Sequence, residues 1–241
     1  MIRVTQLSKQ IPGGPVVLSD VSFEVQRGEF VAIKGASGSG KSMLLRCLAL
    51  REKWDSGTYI VDDANVFDKG LAGRLQIRRE MAYLEEKPML QPNRTVLKNV
   101  LIGASYQTPM WRRLTGMIRN DDHMGAMDMI EKRGLLDKAH LMAGKLSGGE
   151  KQRVAIARAL VHGAKTLLVD EPVSGLDPQT AEQVLADLKG LCQSQGVTVI
   201  AVMHQGDWAE RYADRILGLS SGKLVLDIKG RRLTEREKML L

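Results

Sequence analysis

Eight consecutive residues, Gly35-Ala36-Ser37-Gly38-Ser39-Gly40-Lys41-Ser42, satisfy the pattern G-x-x-x-x-G-K-[ST] without a mismatch. The chemistry of that pattern is phosphate capture. Glycines at 35, 38 and 40 let backbone N–H groups turn inward and approach phosphate oxygens, and a helix starting at the loop's end adds positive potential. Lys41 is placed to reach the β- and γ-phosphates, and the Ser42 hydroxyl to ligate Mg²⁺. Downstream, Ser147-Gly148-Gly149 precedes a helical run from Glu150 to Val161, so its N–H groups and the Ser147 hydroxyl make a second anion seat. Asp170-Glu171 ends the apolar run Leu167-Leu168-Val169, which carries carboxylates to the end of a strand, and Pro172 fixes the pair there. His204 closes another apolar run, Val197–Met203.

The elements that must hold these residues are legible. Phe30-Val31-Ala32-Ile33 reads as a buried parallel strand that feeds the glycine loop, and Met43–Leu50 as a helix apolar almost all round. Strand, turn and helix in that order are the context that turns a phosphate-loop match into a site. Short strands are expected at Val21–Val25, Gly57–Val61 and Met81–Leu84, and Pro88 and Pro92 then punctuate the chain. From about Pro92 to Leu160 the apolar spacing is helical. A β–α rhythm follows: strand 166–170, helix near 179–193, strand 197–203, helix near 206–213, strand 215–219. No internal repeat and no Gly-, Ser- or Pro-rich linker interrupts the 241 residues, so one nucleotide domain with a helical insertion is expected.

Composition bounds the partners. The net charge of +7 comes from 35 basic and 28 acidic residues, scattered with no basic run longer than three, which argues against nucleic acid. Cys47 and Cys192 lack metal-ligand spacing and fall at apolar helical positions, so buried thiols in a reducing cytosol are expected. Met1–Gln6 turns polar too soon for a signal-peptide core, and no apolar run approaches the ~20 residues of a membrane span. The expectation is a soluble chain, with another polypeptide crossing the bilayer if the process served is a membrane one.

Taken in order, Gly35–Ser42, Leu146-Ser147-Gly148-Gly149-Glu150-Lys151-Gln152-Arg153 and Leu167–Pro172 resemble the ATP-binding cassette of ABC transporters, from about Val4 to about Gly222. The resemblance implies an α/β fold: a P-loop NTPase core with an N-terminal antiparallel β-subdomain and an inserted α-helical subdomain. The core is expected at about 1–87 and 161–222, the helical subdomain at about 88–160 and a C-terminal tail at 223–241. It implies ATP and Mg²⁺ as ligands, the metal held by Ser42 and, through water, by Asp170. Glu171 is the implied general base for the attacking water, within hydrogen-bond reach of it. His204 is implied to contact the γ-phosphate beside Lys41, and Ser174-Gly175-Leu176-Asp177 to communicate between opposed sites. The Ser147–Gly149 seat is implied to bind the γ-phosphate held by a second copy, so that two chains sandwich two nucleotides.

Three positions depart from the family pattern. Ile11 stands where an adenine-stacking aromatic is usual, Met43 where a second hydroxyl follows Ser42, and Glu86 where a loop Gln serves the metal or water. Loss of aromatic stacking removes part of the ~1–3 kcal/mol typical of base–aromatic contacts. A Glu at 86 either ligates the metal directly or swings away until a partner subunit positions its loop. Thr95–Ala104, Thr108-Pro109-Met110-Trp111-Arg112 and Met203–Ile216, with Gln205 after the histidine, resemble the phosphonate-importer ATPases. Trp111 and Met110, Met117, Met124, Met127 and Met129 are helical core or, in part, a face for a permease helix. The function so implied is ATP hydrolysis coupled to uptake of a phosphonate or related oxyanion. It is carried out at the cytoplasmic face of the membrane with permease subunits and, indirectly, a periplasmic or lipoprotein solute-binding protein. Another cargo, or a soluble or regulatory cassette with low ATPase activity, is the alternative.

Overall fold

The computed structural model describes residues 1–66, 68–104, 120–204 and 207–241. Trp111, Met110, Met117, the rest of Thr108–Arg112 and Gln205 lie outside the described residues. The strands are β1 (Ile2–Gln10), β2 (Val16–Val25), β3 (Phe30–Lys34), β4 (Ser56–Val61), β5 (Ala64–Asn65), β6 (Met81–Leu84), β7 (Thr166–Asp170), β8 (Thr198–Val202), β9 (Arg215–Ser220) and β10 (Lys223–Lys229). The α-helices are α1 (Lys41–Leu48), α2 (Leu71–Glu80), α3 (Val96–Ala104), α4 (Asn120–Lys132), α5 (Gly148–Val161), α6 (Pro178–Gln195), α7 (Trp208–Tyr212) and α8 (Glu235–Lys238).

The chain forms two compact units. The first comprises Met1–Tyr83, Thr166–Glu171 and Leu188–Leu241; the second comprises Leu84–Lys165 and Pro172–Asp187. In the first unit, β1 pairs antiparallel with both β2 and β4 in a sheet of order β2-β1-β4-β5. The main sheet has the order β10-β9-β3-β8-β7-β6, and β9, β3, β8 and β7 run parallel. Phe30 to Ile33 and Val199 to Val202 have no exposed surface, which is why these strands read as continuous apolar runs and not as alternating ones. Residues 223–229, expected within a tail, form the antiparallel edge strand against β9.

Register aligns the chemistry. Val202 of β8 pairs with Ile33 on one side and with Asp170 on the other, so the end of β3 and the end of β7 lie level at one sheet edge. In parallel α/β sheets, ligands collect at that carboxyl edge.

The second unit packs α3, α4 and α5 around Val96, Val100, Ala126, Ile130, Leu135, Val154 and Ala157. Helix α5 opens with a capping box. The Ser147 Oγ accepts from the Glu150 N–H at 3.3 Å, and Glu150 Oε2 accepts from the Ser147 N–H at 2.8 Å. Lys138 donates to the other carboxylate oxygen of Glu150. That bond above all, with the Ser147 N–H contributing and partial burial opposing, holds the Glu150 carboxyl below its ordinary 4.5. Glu150→Ala removes half of the box and should cost about 1 kcal/mol, lowering Tm by roughly 2–4 °C in a chain of this size. The sign with pH follows from a depressed folded value. The stabilisation is complete above the unfolded value and disappears as pH falls through the folded one. Thermal melts should therefore show a gap between wild type and variant at pH 7 that closes on acidification below the ordinary carboxylate range; a gap constant with pH would show that ionised Glu150 is not its source.

Candidate active site

The phosphate loop is shaped by close approach. Gly35 sits at φ +153°, and a Cβ there would lie 2.0 Å from the Leu219 carbonyl oxygen, so no side chain fits where the loop passes β9. Gly40, at φ +101°, caps α1. Lys41 is 3% exposed and folds back on its own loop, with Nζ donating to the carbonyls of Gly35 at 2.9 Å and Ala36 at 2.6 Å and to Ser39 Oγ at 3.3 Å. Burial lowers its pKa, and the nearby charges of Glu171 and Asp170 oppose that shift. A partly desolvated ammonium held at the mouth of a ring of backbone groups can exchange those carbonyls for phosphate oxygens.

Asp170 is held from two sides. Ser42 Oγ donates to its Oδ1 at 3.1 Å, and Tyr83 Oη donates to its Oδ2 at 2.9 Å. Tyr83 is a site residue that the sequence reading missed. It lies 87 residues from Asp170, and only the adjacency of β6 and β7 in the sheet brings the two together. Next in the chain, Glu171 adopts φ +47°, a left-handed conformation that is uncommon for non-glycine residues. Its Oε1 lies 3.0 Å from His204 Nε2, and both side chains are about a quarter exposed. The structure thus brings together Lys41, Ser42, Asp170, Glu171 and His204 within the first unit. His204, expected at the γ-phosphate, faces the carboxylate of Glu171, where an Nε2–H can orient a base.

The Ser42 and Asp170 oxygens suit Mg²⁺ by their chemistry. Both are hard donors, and Mg²⁺ is usually held by one or two protein oxygens with the rest of its shell from phosphates and water. Among the described residues no group of three or more His, Cys, Asp or Glu side chains forms a self-sufficient metal cage. The departures from the pattern find their places. Met43 packs on the hydrophobic core of the first unit, so only its backbone is available to a phosphate. Ile11 lies in the β1–β2 turn, its N–H bonded to the Pro15 carbonyl, and is 41% exposed.

Within the second unit, the Ser147 N–H is taken by Glu150, so the seat read from the sequence reduces to the N–H groups of Gly148 and Gly149 and the Ser147 hydroxyl. That hydroxyl accepts from the Glu150 N–H, which leaves its own proton to donate. Gly149 has a packing reason as well, since a Cβ there would meet Thr180 Cγ2 at 2.0 Å. Glu86 is exposed, and its Oε1 accepts from Ser174 Oγ at 3.1 Å. Asp177 accepts the Thr180 N–H at 3.0 Å at the start of α6, and bonds from Thr180 hold its carboxyl below the usual range. Its side chain serves the helix start.

Comparison with known proteins gives the family. The model of the ABC transporter family matches residues 18–174. The chain is 37% identical to the phosphonates import ATP-binding protein PhnC of Lactococcus lactis subsp. cremoris, covering 98% of this chain and 96% of that one. It is 39% identical to the protein of the same name from Bdellovibrio bacteriovorus, covering 98% and 90%. Among solved structures, the dimeric post-hydrolysis state of the ATP-binding cassette MJ0796 bound to ADP and Pi superposes with a TM-score of 0.82 at 30% identity, covering 97% of this chain and all of that one. The cbiO1 protein of Clostridium perfringens, part of the cbiONQ transporter complex, gives 0.84 at 27% identity, covering 95% and 88%. Phosphate loop, strand-end carboxylates and full-length similarity agree: the chain belongs to the ABC transporter family, as an ATP-binding cassette that hydrolyses ATP.

Proposed function

We propose that this cassette powers the import of a phosphonate or related oxyanion, working as two copies on membrane-spanning permease subunits at the cytoplasmic face. The observation that carries the hydrolytic half is the cluster of Ser42, Asp170, Glu171 and His204 beside the buried Lys41. In this reading the backbone of Gly35–Ser42 cradles the phosphates and Lys41 neutralises charge on the β- and γ-oxygens. Ser42 and Asp170 would hold Mg²⁺, whose chemistry there is to offset phosphate charge. Glu171, oriented by His204, takes a proton from the water that attacks the γ-phosphorus; the bond to the β-bridging oxygen breaks, and ADP and phosphate leave.

The second copy enters through Ser147–Gly149, whose remaining donors suit a γ-phosphate held by the opposite chain, and Asp177 and Ser174 lie on the loop between the two sites. In this reading Glu86, whose Oε1 accepts from Ser174 Oγ, serves the loop network. No helix among the described residues is long and apolar enough to cross a membrane. In this reading the permease subunits span the bilayer and a periplasmic or lipoprotein binding protein delivers the cargo.

The cargo reading rests on similarity along nearly the whole chain to proteins named for phosphonate import. It is tested in a strain lacking this gene with methylphosphonate as sole phosphorus source. Growth should fail, return with the wild-type gene and stay absent with Lys41→Ala. Undiminished growth of the deletion strain on methylphosphonate would remove phosphonate as the cargo and leave the ATPase reading standing.

A further inference from the structure

A cavity of about 280 Å³ in the first unit is lined by Leu50, Arg51, Glu52, Lys53, Trp54, Val66, Arg74, Leu75 and Arg78. Its composition is lopsided: four cationic side chains, all exposed, line it together with a single carboxylate, that of Glu52. The apolar lining includes Trp54 and Val66, 3% and 1% exposed, with Leu75 47% exposed. Arg74 Nε donates to the Val66 carbonyl at 3.3 Å, which sets that side chain against the wall. None of these residues belongs to the phosphate loop or to the carboxylate cluster. One of them nevertheless reaches the active site by contact. The Arg51 guanidinium lies 4.3 Å from the centre of the Tyr83 ring, and Tyr83 is the residue whose hydroxyl holds Asp170 Oδ2.

We propose that this cavity is a regulatory site for a small phosphoryl or phosphonyl anion, sensed at Asp170 through Arg51 and Tyr83. The charge selects the ligand's head. Guanidinium groups bind tetrahedral oxyanions with paired hydrogen bonds, and clustering several around one position favours a dianion. The floor selects its body, since an indole and a valine side chain favour an apolar substituent over a second charge. The volume falls at the small end of ligand cavities, so the occupant is a compact molecule and not a nucleotide. The relay is competitive. An anion that recruits the Arg51 guanidinium draws it from the face of Tyr83, the ring loses its cation–π partner, and its hydroxyl no longer holds Asp170 in one orientation. Occupancy therefore weakens the response to divalent metal, as expected of feedback by a phosphorus oxyanion on the pump.

Phenylphosphonate is the probe, used on the full chain with saturating Mg·ADP so that the phosphate loop is already filled. Titration calorimetry should show one site per chain. Inorganic phosphate and methylphosphonate should bind the same site more weakly, because they present the head without the body. The double variant Arg74→Gln/Arg78→Gln should lose at least tenfold in affinity with basal ATPase unchanged and only a small drop in Tm from the lost Arg74–Val66 bond, and Arg78→Glu should act likewise if the double variant is poorly folded. In wild type, the probe should raise the Mg²⁺ concentration for half-maximal ATPase about two- to fivefold, the factor that an exposed cation–π contact is worth. Tyr83→Phe should bind the probe as wild type does and lose that shift. Absence of binding in the presence of ADP, or binding unaffected by both the double variant and Arg78→Glu, overturns the site; a shift that persists in Tyr83→Phe overturns the relay.

Discussion

Glu171→Gln is expected to bind ATP with the affinity of the natural chain and to hydrolyse it more slowly by a factor on the order of 10²–10⁴. The substitution keeps the size and shape of the side chain, so the contact with His204 Nε2, 3.0 Å in the natural chain, can persist through the amide oxygen. What it removes is the ability to take a proton. The phosphate loop, Lys41 and the Ser42–Asp170 pair are untouched, which is why binding should survive. With the γ-phosphate retained, the variant should collect as an ATP-locked dimer, visible by gel filtration with ATP and absent with ADP. Turnover equal to wild type would take the base role away from Glu171 and leave the strained turn at φ +47° as a feature of backbone geometry alone.

How far the sequence discloses this site depends on the distance over which each residue acts. The phosphate loop was legible because its geometry is local: three glycines, a lysine and a serine are read within eight positions. The strand-end carboxylates were legible because a buried parallel strand writes itself as an unbroken apolar run, and Asp170 is where the run in β7 stops. Tyr83 was not legible. Nothing around it marks a polar role, and its partner is a strand neighbour distant in the chain. Glu150 reads as the first residue of a helical run, yet Ser147-x-x-Glu150 is also the signature of a capping box, and that box consumes the Ser147 N–H. Met43 counted as a departure at the phosphates because position in a pattern says nothing about which way an apolar side chain packs. The edge strand β10 escaped because its alternating exposure resembles a polar extension until β9 is there to pair with it.

Ser147→Arg should abolish hydrolysis while leaving the nucleotide affinity of an isolated subunit intact. Two effects have to be separated for that result to carry meaning. Arginine offers no oxygen to the Glu150 N–H, so the cap of α5 weakens by about 1 kcal/mol. Ser147→Ala suffers the same loss without added bulk, and a comparable Tm for the two variants identifies the cap's share. What remains is the filling of the anion seat, where the Ser147 hydroxyl proton and the N–H groups of Gly148 and Gly149 would otherwise meet a developing γ-phosphate charge. Loss of such a cluster of donors costs at least ~10² in rate. If the seat serves the loop of the opposite chain, occupancy of the loop in a lone subunit does not call on it. Mixing then gives the decisive measurement. A Lys41→Ala chain lacks a working loop but keeps its seat, and a Ser147→Arg chain keeps its loop but lacks the seat. Each alone should be inert. A mixed dimer restores one complete site, from the loop of one chain and the seat of the other, and hydrolysis should reappear in proportion to the mixed species. A Ser147→Arg chain that hydrolyses ATP at the wild-type rate as a monomer would show that the seat does not act across two copies, and the two-copy sandwich would fall with it.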